Sequence, residues 1–201
     1  MILSHDDIVK AIKDGTIGFD PQVEARQIGE ASVDLRLGYQ FTKYREDLPD
    51  VTISVAEGLR TLGELKAWKT LELGPQDELG RPSKFVLEPK EFILGITLES
   101  ITVPRSMIAL VEGRSTYARV GLSMHQTAPW IQPGWSGPII LEMTNHGPLN
   151  IQLRPGVDRP CQVTFFKLTS EVAETEAYGA RATDVYKDQT HPLRHDPTAR
   201  R

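Results

Sequence analysis

From residue 85 onward the chain is a succession of short apolar runs, each cut off by proline or glycine. Phe85–Leu87, Phe92–Leu98, Met107–Val111, Ile139–Thr144, Leu149–Leu153 and Gln162–Leu168 read as strands. Glu88-Pro89-Lys90, Val103-Pro104-Arg105, Gln132-Pro133-Gly134 and Arg154-Pro155-Gly156 read as the turns between them. Many short strands with such frequent punctuation point to a mainly β fold, a barrel or jelly roll. Upstream, Val33, Leu35 and Leu37 alternate with Ser32, Asp34 and Arg36, the period-2 pattern of a half-buried strand. No internal repeat stands out.

The segments outside this β region are of three kinds. Residues 4–15 read as a short helix, with Ser4 as its cap, Asp7 in the first turn, Ile8, Ala11 and Ile12 on one apolar face, and Gly15 as its stop. Residues 45–80 read as an irregular insertion, in which Leu62, Leu65, Ala67 and Trp68 suit a short helix. The tail from about Glu171 to Arg201 is polar and charged, and is expected to be mobile until a ligand or neighbour orders it.

Composition excludes several classes of function. A length of 201 residues with 39% hydrophobic and 25% charged residues suits a single domain with a real core. Cys161 is the only cysteine, which rules out an intrachain disulfide framework and a multi-cysteine zinc site, and fits a reducing compartment. No run approaches the roughly 18 apolar residues of a membrane span. The start, Met1-Ile2-Leu3-Ser4-His5, lacks the basic and apolar regions of a signal peptide. A net charge of −4 argues against a nucleic-acid polymer as partner, whereas a nucleotide monomer needs only a few local donors and cations.

Four stretches carry chemistry. In Glu112-Gly113-Arg114-Ser115-Thr116-Tyr117-Ala118-Arg119, a glycine and two hydroxyl residues between arginines suit an oxyanion. The same run also reads as a helix start capped by Ser115 or Thr116, and the two readings are compatible. In Pro138-Ile139-Ile140-Leu141-Glu142-Met143-Thr144-Asn145, Ile139, Leu141 and Met143 face one way while Ile140, Glu142 and Thr144 face the other. An acid in so apolar a strand reaches solvent, pairs with a cation, or sits in a cleft as a general base or acid. Thr127-Ala128-Pro129-Trp130-Ile131-Gln132-Pro133-Gly134-Trp135-Ser136-Gly137 suggests a rigid hairpin with aromatic walls, holding a base or sugar or plugging one end of the fold. Finally, Tyr178 and Tyr186-Lys187-Asp188-Gln189 form a cluster able to close over a nucleotide, or are merely solvated. Zinc deaminases pair H-x-E with P-C-x-x-C, and here Pro160-Cys161 has no second cysteine, so no zinc and no metal ligand set is expected.

These residues resemble a family. The run Gly113–Leu122, the run Pro133–Glu142, the N-terminal Leu3-Ser4-His5-Asp6-Asp7-Ile8 and the strand Ala31–Gly38 are similar to the signatures of dCTP deaminases in the trimeric dUTPase-like superfamily. The resemblance covers roughly residues 1–44 and 85–190. It implies a distorted β-barrel in homotrimers, or dimers of trimers, with active sites shared between subunits. It also implies zinc-free deamination of dCTP to dUTP in the cytoplasm, feeding dUMP and thymidylate synthesis.

The resemblance makes Glu142 the carboxylate that activates water against cytosine C4, supported by Ser115 and Arg119. Substrate contacts then fall on Arg114, Ser115, Thr116, Tyr117, Ala118, Arg119, Ala128, Gln132, Ile140, Leu141, Glu142, Gln162, Tyr178, Lys187 and Gln189. Magnesium enters only as the counter-ion of the triphosphate.

The chain departs from the family pattern at two positions. Gln132 stands where many relatives have an aspartate that activates water for phosphate hydrolysis. Val185 stands where many have a lysine, and Lys187 is the nearby cation. A bifunctional deaminase–diphosphatase forming dUMP and a non-catalytic nucleotide-binding protein are the alternatives. Glutamine cannot act as a base, which counts against the first, and retention of Glu142, Ser115 and Arg119 counts against the second.

Overall fold

The computed structural model of the protein describes residues 1–54, 56–181, Asp184, Tyr186 and 189–193. In chain order its elements are α1 (His5–Lys13), β1 (Gly18–Asp20), β2 (Val33–Leu35), β3 (Gln40–Tyr44), α2 (Gly58–Glu64), β4 (Trp68–Glu72), β5 (Phe85–Leu87) and β6 (Phe92–Thr102). They continue with β7 (Met107–Gly113), α3 (Ser115–Ala118), β8 (Leu122–Ser123), β9 (Trp130–Ile131), β10 (Ser136–Asn145), β11 (Ile151–Leu153) and β12 (Cys161–Lys167). No helix among the described residues is long and apolar enough to cross a membrane.

Helix α1 forms where expected. Asp6 and Asp7 lie in its first turn and Lys10 and Lys13 in its last, an arrangement that complements the helix dipole, and Ile8 and Ala11 are buried. Gly15 ends it at φ 75°, a left-handed backbone that glycine adopts without steric cost. Ser4 holds the cap position, yet its hydroxyl donates to Asp7 Oδ2 at 3.0 Å and caps no backbone N–H.

The described strands form three sheets, of order β4-β3-β6-β10-β8 (with β1 also on β6), β2-β12-β7-β9, and β11-β5. Their buried faces share one core. Phe41, Ile93, Leu141 and Met143 come from the first sheet, and Val33, Leu35, Ala109, Val163 and Phe165 from the second. The central pair is β6 and β10, in register from Ser136↔Thr102 to Thr144↔Phe92 with a bulge between Pro138 and Ile140.

Residues 45–80 are more ordered than the sequence suggests, since they carry α2 and β4. Leu62 lies on α2 and Leu65 at its end, but Trp68 belongs to a strand. The cause is tertiary: β4 pairs along its whole length with β3, and Trp68 stacks on Tyr44 with ring centroids 4.0 Å apart. Lys66, at φ 48°, turns the chain between helix and strand. The strand expected over Leu149–Leu153 is shorter, starting at Ile151, and Leu149 is exposed.

Candidate active site

The alternation read from strand β10 holds. Ile139, Leu141 and Met143 are buried, while Ile140, Glu142 and Thr144 lie on the other, partly exposed face. Glu142 sits opposite Leu94 of β6. Its Oε2 accepts a hydrogen bond from the main-chain N–H of Gln126 at 3.0 Å. The Gln126 amide also donates to the main-chain carbonyl of Glu142 at 3.3 Å and to the Thr144 hydroxyl at 2.9 Å. Among the described residues Glu142 pairs with no cation, and its Oε1 has no hydrogen-bond partner. One oxygen is held and the other is open, an arrangement that suits a base.

The hydroxyl–arginine run does start a helix, though not with the expected cap. Arg114 occupies the cap position of the single turn α3, and no side chain caps it. Ser115, Thr116, Ala118 and Arg119 are exposed, and Tyr117 is half-buried. The two arginines differ. Arg114 turns inward, donating to the carbonyl of Arg159 at 3.0 Å and pairing with Asp34 at 3.2 Å. Burial pushes the Asp34 carboxyl above its ordinary value, while the Arg114 and Arg159 charges pull it back. Arg119 makes no ion pair among the described residues.

The turn after α3 is tight. Gly121 is at φ 95°, and a side chain there would meet the backbone of Gly147 at 2.5 Å. Strand β8 then pairs Ser123 with Thr144 and Leu122 with Asn145, which places α3 past the C-terminal end of β10. No hydrogen bond or ion pair among the described residues joins Ser115 or Arg119 to Glu142 within the chain.

The segment expected to form a hairpin does not: β9 pairs with β7 and β10 with β6, so the turn over residues 132–135 passes from one sheet to the other. That turn and the tail meet. Tyr178 donates its N–H to the carbonyl of Pro133 at 2.9 Å, and its ring lies 5.1 Å from that of Trp135. Its hydroxyl accepts from the N–H of Tyr186 at 3.2 Å, and burial raises its pKa. Ala128 and Gln132 are exposed on either side of β9. Gln162, on β12, accepts from the Ser32 hydroxyl at 2.8 Å. Gln189 donates its amide to the carbonyls of His191 and Pro192 at 2.8 and 3.2 Å. It borders a cleft of about 470 Å3 together with Asp20, Thr102 and Ser136. A neighbouring cleft of about 620 Å3 runs along Gln40, Glu72, Leu98 and Pro138. Neither cleft includes Glu142, Ser115 or Arg119. Lys187 and Val185 lie outside the described residues.

Among the described residues no group of three or more His, Cys, Asp or Glu side chains is gathered to hold a metal ion. The chain's i, i+4 histidine pair, His191 and His195, is in the tail, and His195 lies outside the described residues.

Sequence reasoning passes over Gln126 and His125. The ring of His125 sits 3.1 Å from Glu112 through Nε2, with Nδ1 buried and unpartnered among the described residues. A signal for Gln126 is absent in principle, because its first contact with Glu142 is made by a main-chain N–H that every residue but proline carries.

The fold is shared with a solved nucleotide deaminase. The crystal structure of 2′-deoxycytidine 5′-triphosphate deaminase from Agrobacterium tumefaciens aligns at TM-score 0.61 and 22% identity, covering 87% of this chain. The alignment spans about half of that solved chain, 49% of its length. This bears out the mainly β fold. A family model described as dCTP deaminase-like matches residues 2–168. The dCTP deaminase of Rhodospirillum rubrum is 39% identical over 193 residues, 96% of this chain and 95% of its own. A "dCTP deaminase, dUMP-forming" of Dictyoglomus thermophilum is 37% identical over 196 residues, 96% of this chain and 92% of its own. The chain therefore belongs to the dCTP deaminase-like family. The matched span runs through residues 45–80, which the motif resemblance does not clearly cover.

Proposed function

We propose that this protein hydrolyses dCTP to dUTP and ammonia, with Glu142 shuttling the protons. The observation that carries the reading is the Glu142 carboxylate on β10, one oxygen tied to Gln126 and the other open. As water oxygen bonds to C4, Glu142 takes a water proton and the C4–N3 π electrons move to N3, which receives that proton. The hydroxyl proton of the tetrahedral intermediate then passes through Glu142 to the exocyclic amine, the C4–N bond breaks, and a carbonyl and ammonia remain. Water enters and ammonia leaves, with nothing oxidised or reduced.

Ser115 and Arg119 are exposed and do not reach Glu142 within one chain, which supports a homotrimer, or a dimer of trimers, whose sites draw on two subunits. Arg119 then meets the substrate, and Tyr178, Lys187 and Gln189 close over it. Magnesium accompanies the triphosphate. No zinc takes part, a reading that rests on the lone Cys161 and the missing second cysteine after Pro160-Cys161. The reaction belongs in the cytoplasm, feeding dUMP and thymidylate synthesis.

Relatives named dUMP-forming favour a second reading, in which dUTP is hydrolysed further to dUMP and pyrophosphate. Against it stands the exposed Gln132, whose amide cannot take a proton from water. Incubation with dCTP and magnesium, followed by separation of dCTP, dUTP and dUMP, decides between them. Accumulation of dUTP without pyrophosphate is expected. Formation of dUMP with pyrophosphate supports the second reading, and unchanged dCTP removes both.

A further inference from the structure

Among the described residues, the hydrogen bonds from the loop between β8 and β9 to β10 are all made by Gln126. Gln126 uses its main-chain N–H to hold Glu142 Oε2 at 3.0 Å. Its side chain works on the strand itself, with Nε2 at 3.3 Å from the Glu142 carbonyl and 2.9 Å from Thr144 Oγ1. The orientation of that amide is fixed chemically: a main-chain carbonyl only accepts, so the nitrogen must face it. Glu142 and Thr144 lie two apart on one face of β10, so the amide grips the strand at consecutive outward positions.

A glutamate carboxylate turns freely about its last torsion, whereas a base must keep one lone pair aimed at its water. The N–H of Gln126 removes that freedom at Oε2 and leaves Oε1 unpartnered among the described residues. The N–H belongs to a loop, however, and a loop holds a distance only if it is itself tied down. The amide bonds provide that tie.

We propose that Gln126 is the positioning residue of Glu142: its side chain pins the β8–β9 loop to β10, so that its main-chain N–H fixes one carboxylate oxygen and leaves the other for water. Gln126 touches no reacting atom and acts through Glu142. The inference rests on Glu142 being the base. Gln126 is exposed in the single chain, and a neighbouring subunit that covers this face would strengthen all three bonds by excluding water.

The test is Gln126→Met, which keeps the length of the side chain and the main-chain N–H but removes the amide. It is measured with Thr144→Val, with the double variant, and with Glu142→Gln as reference. For Gln126→Met, kcat is expected to fall about tenfold while KM for dCTP stays within about twofold, because orientation is lost and binding is not. In the double variant the loss should be smaller than the product of the separate losses, since both substitutions cut the same clamp. Thermal melts of each variant separate a loss of kcat from a loss of folded protein. Gln126→Met turning over at the wild-type rate, or losing activity only in proportion to folded protein, overturns the proposal while leaving the role of Glu142 intact. A fully active Glu142→Gln instead overturns the reading on which it stands.

Discussion

Arg36 closes on Glu99 at 2.6 Å, and the carboxylate it meets is fully buried. Glu99 lies on β6 in the larger sheet, whereas Arg36 directly follows β2 in the smaller one, so the pair ties the two together. The same carboxylate accepts from the Gln27 amide at 2.9 Å and from the Arg36 main-chain N–H at 2.8 Å. A buried ion satisfied on this many sides is costly to break from one side, because its partners are left without a counter-charge. Glu99→Ala is therefore predicted to destabilise the fold by about 3 kcal/mol, read by denaturant unfolding. A loss below about 1 kcal/mol would show that the pair is replaceable by water.

Glu142→Gln keeps the shape of the side chain and removes its capacity to take a proton. Turnover is predicted to drop by about a hundredfold or more while the melting temperature and much of the nucleotide affinity persist. Steady-state kinetics and a binding titration on the same preparation check both halves. Unchanged deamination would end the central reading.

The proposal of sites shared between subunits is tested by a mixing experiment. Glu142→Gln and Arg119→Ala chains should each be inactive alone. Unfolded together and refolded as mixed trimers, they should regain activity at about a quarter of the sites, those that draw an intact residue from each of two subunits. Light scattering should report a trimer or a multiple of it. Failure of the mixture to recover, in assemblies shown to contain both chains, counts against sites between subunits.

Cys161 is fully buried on β12, and burial together with the nearby Glu99 and Asp34 charges pushes its thiol far above the ordinary range. The thiolate is the reactive form, so the folded protein should resist thiol reagents at neutral pH. Labelling is expected only after denaturant is added. Rapid labelling of the native protein would show that the strand opens locally.

The tail from Tyr178 to Gln189 is predicted to act on turnover and not on assembly. Truncation before Tyr178 should preserve the trimer and remove most activity, because closure excludes water and completes the site. Lys187→Ala should raise KM for dCTP more than for dCMP, since the proposed role of its charge is to pair with the outer phosphates. A truncated chain that deaminates at the full-length rate would sink this prediction.

How far the sequence can be read follows from the range of the forces involved. The alternation over Ile139–Thr144 is local, so the outward face of Glu142 is legible from the residue order alone. Trp68 is placed wrongly on a helix by its neighbours in sequence, because its strand is defined by pairing with Gln40–Tyr44, well upstream in the chain. Arg114 and Arg119 look alike in the sequence. Asp34, some 80 positions upstream, separates them by drawing Arg114 inward and leaving Arg119 exposed. Gln126 is illegible for a different reason, since its grip on Glu142 begins with a backbone donor.

The contact of Trp135 with Tyr178 has an optical consequence. The chain has three tryptophans: Trp68 stacks on Tyr44, Trp130 tilts against Phe166, and Trp135 alone among them makes a ring contact with the tail in the described residues. Replacing Trp68 and Trp130 by phenylalanine would leave a single indole whose emission senses whether Tyr178 lies against it. The enzyme thus carries its own fluorophore at the turn between β9 and β10, and lifting or docking of the tail during a catalytic cycle could be followed by stopped-flow emission without any added label.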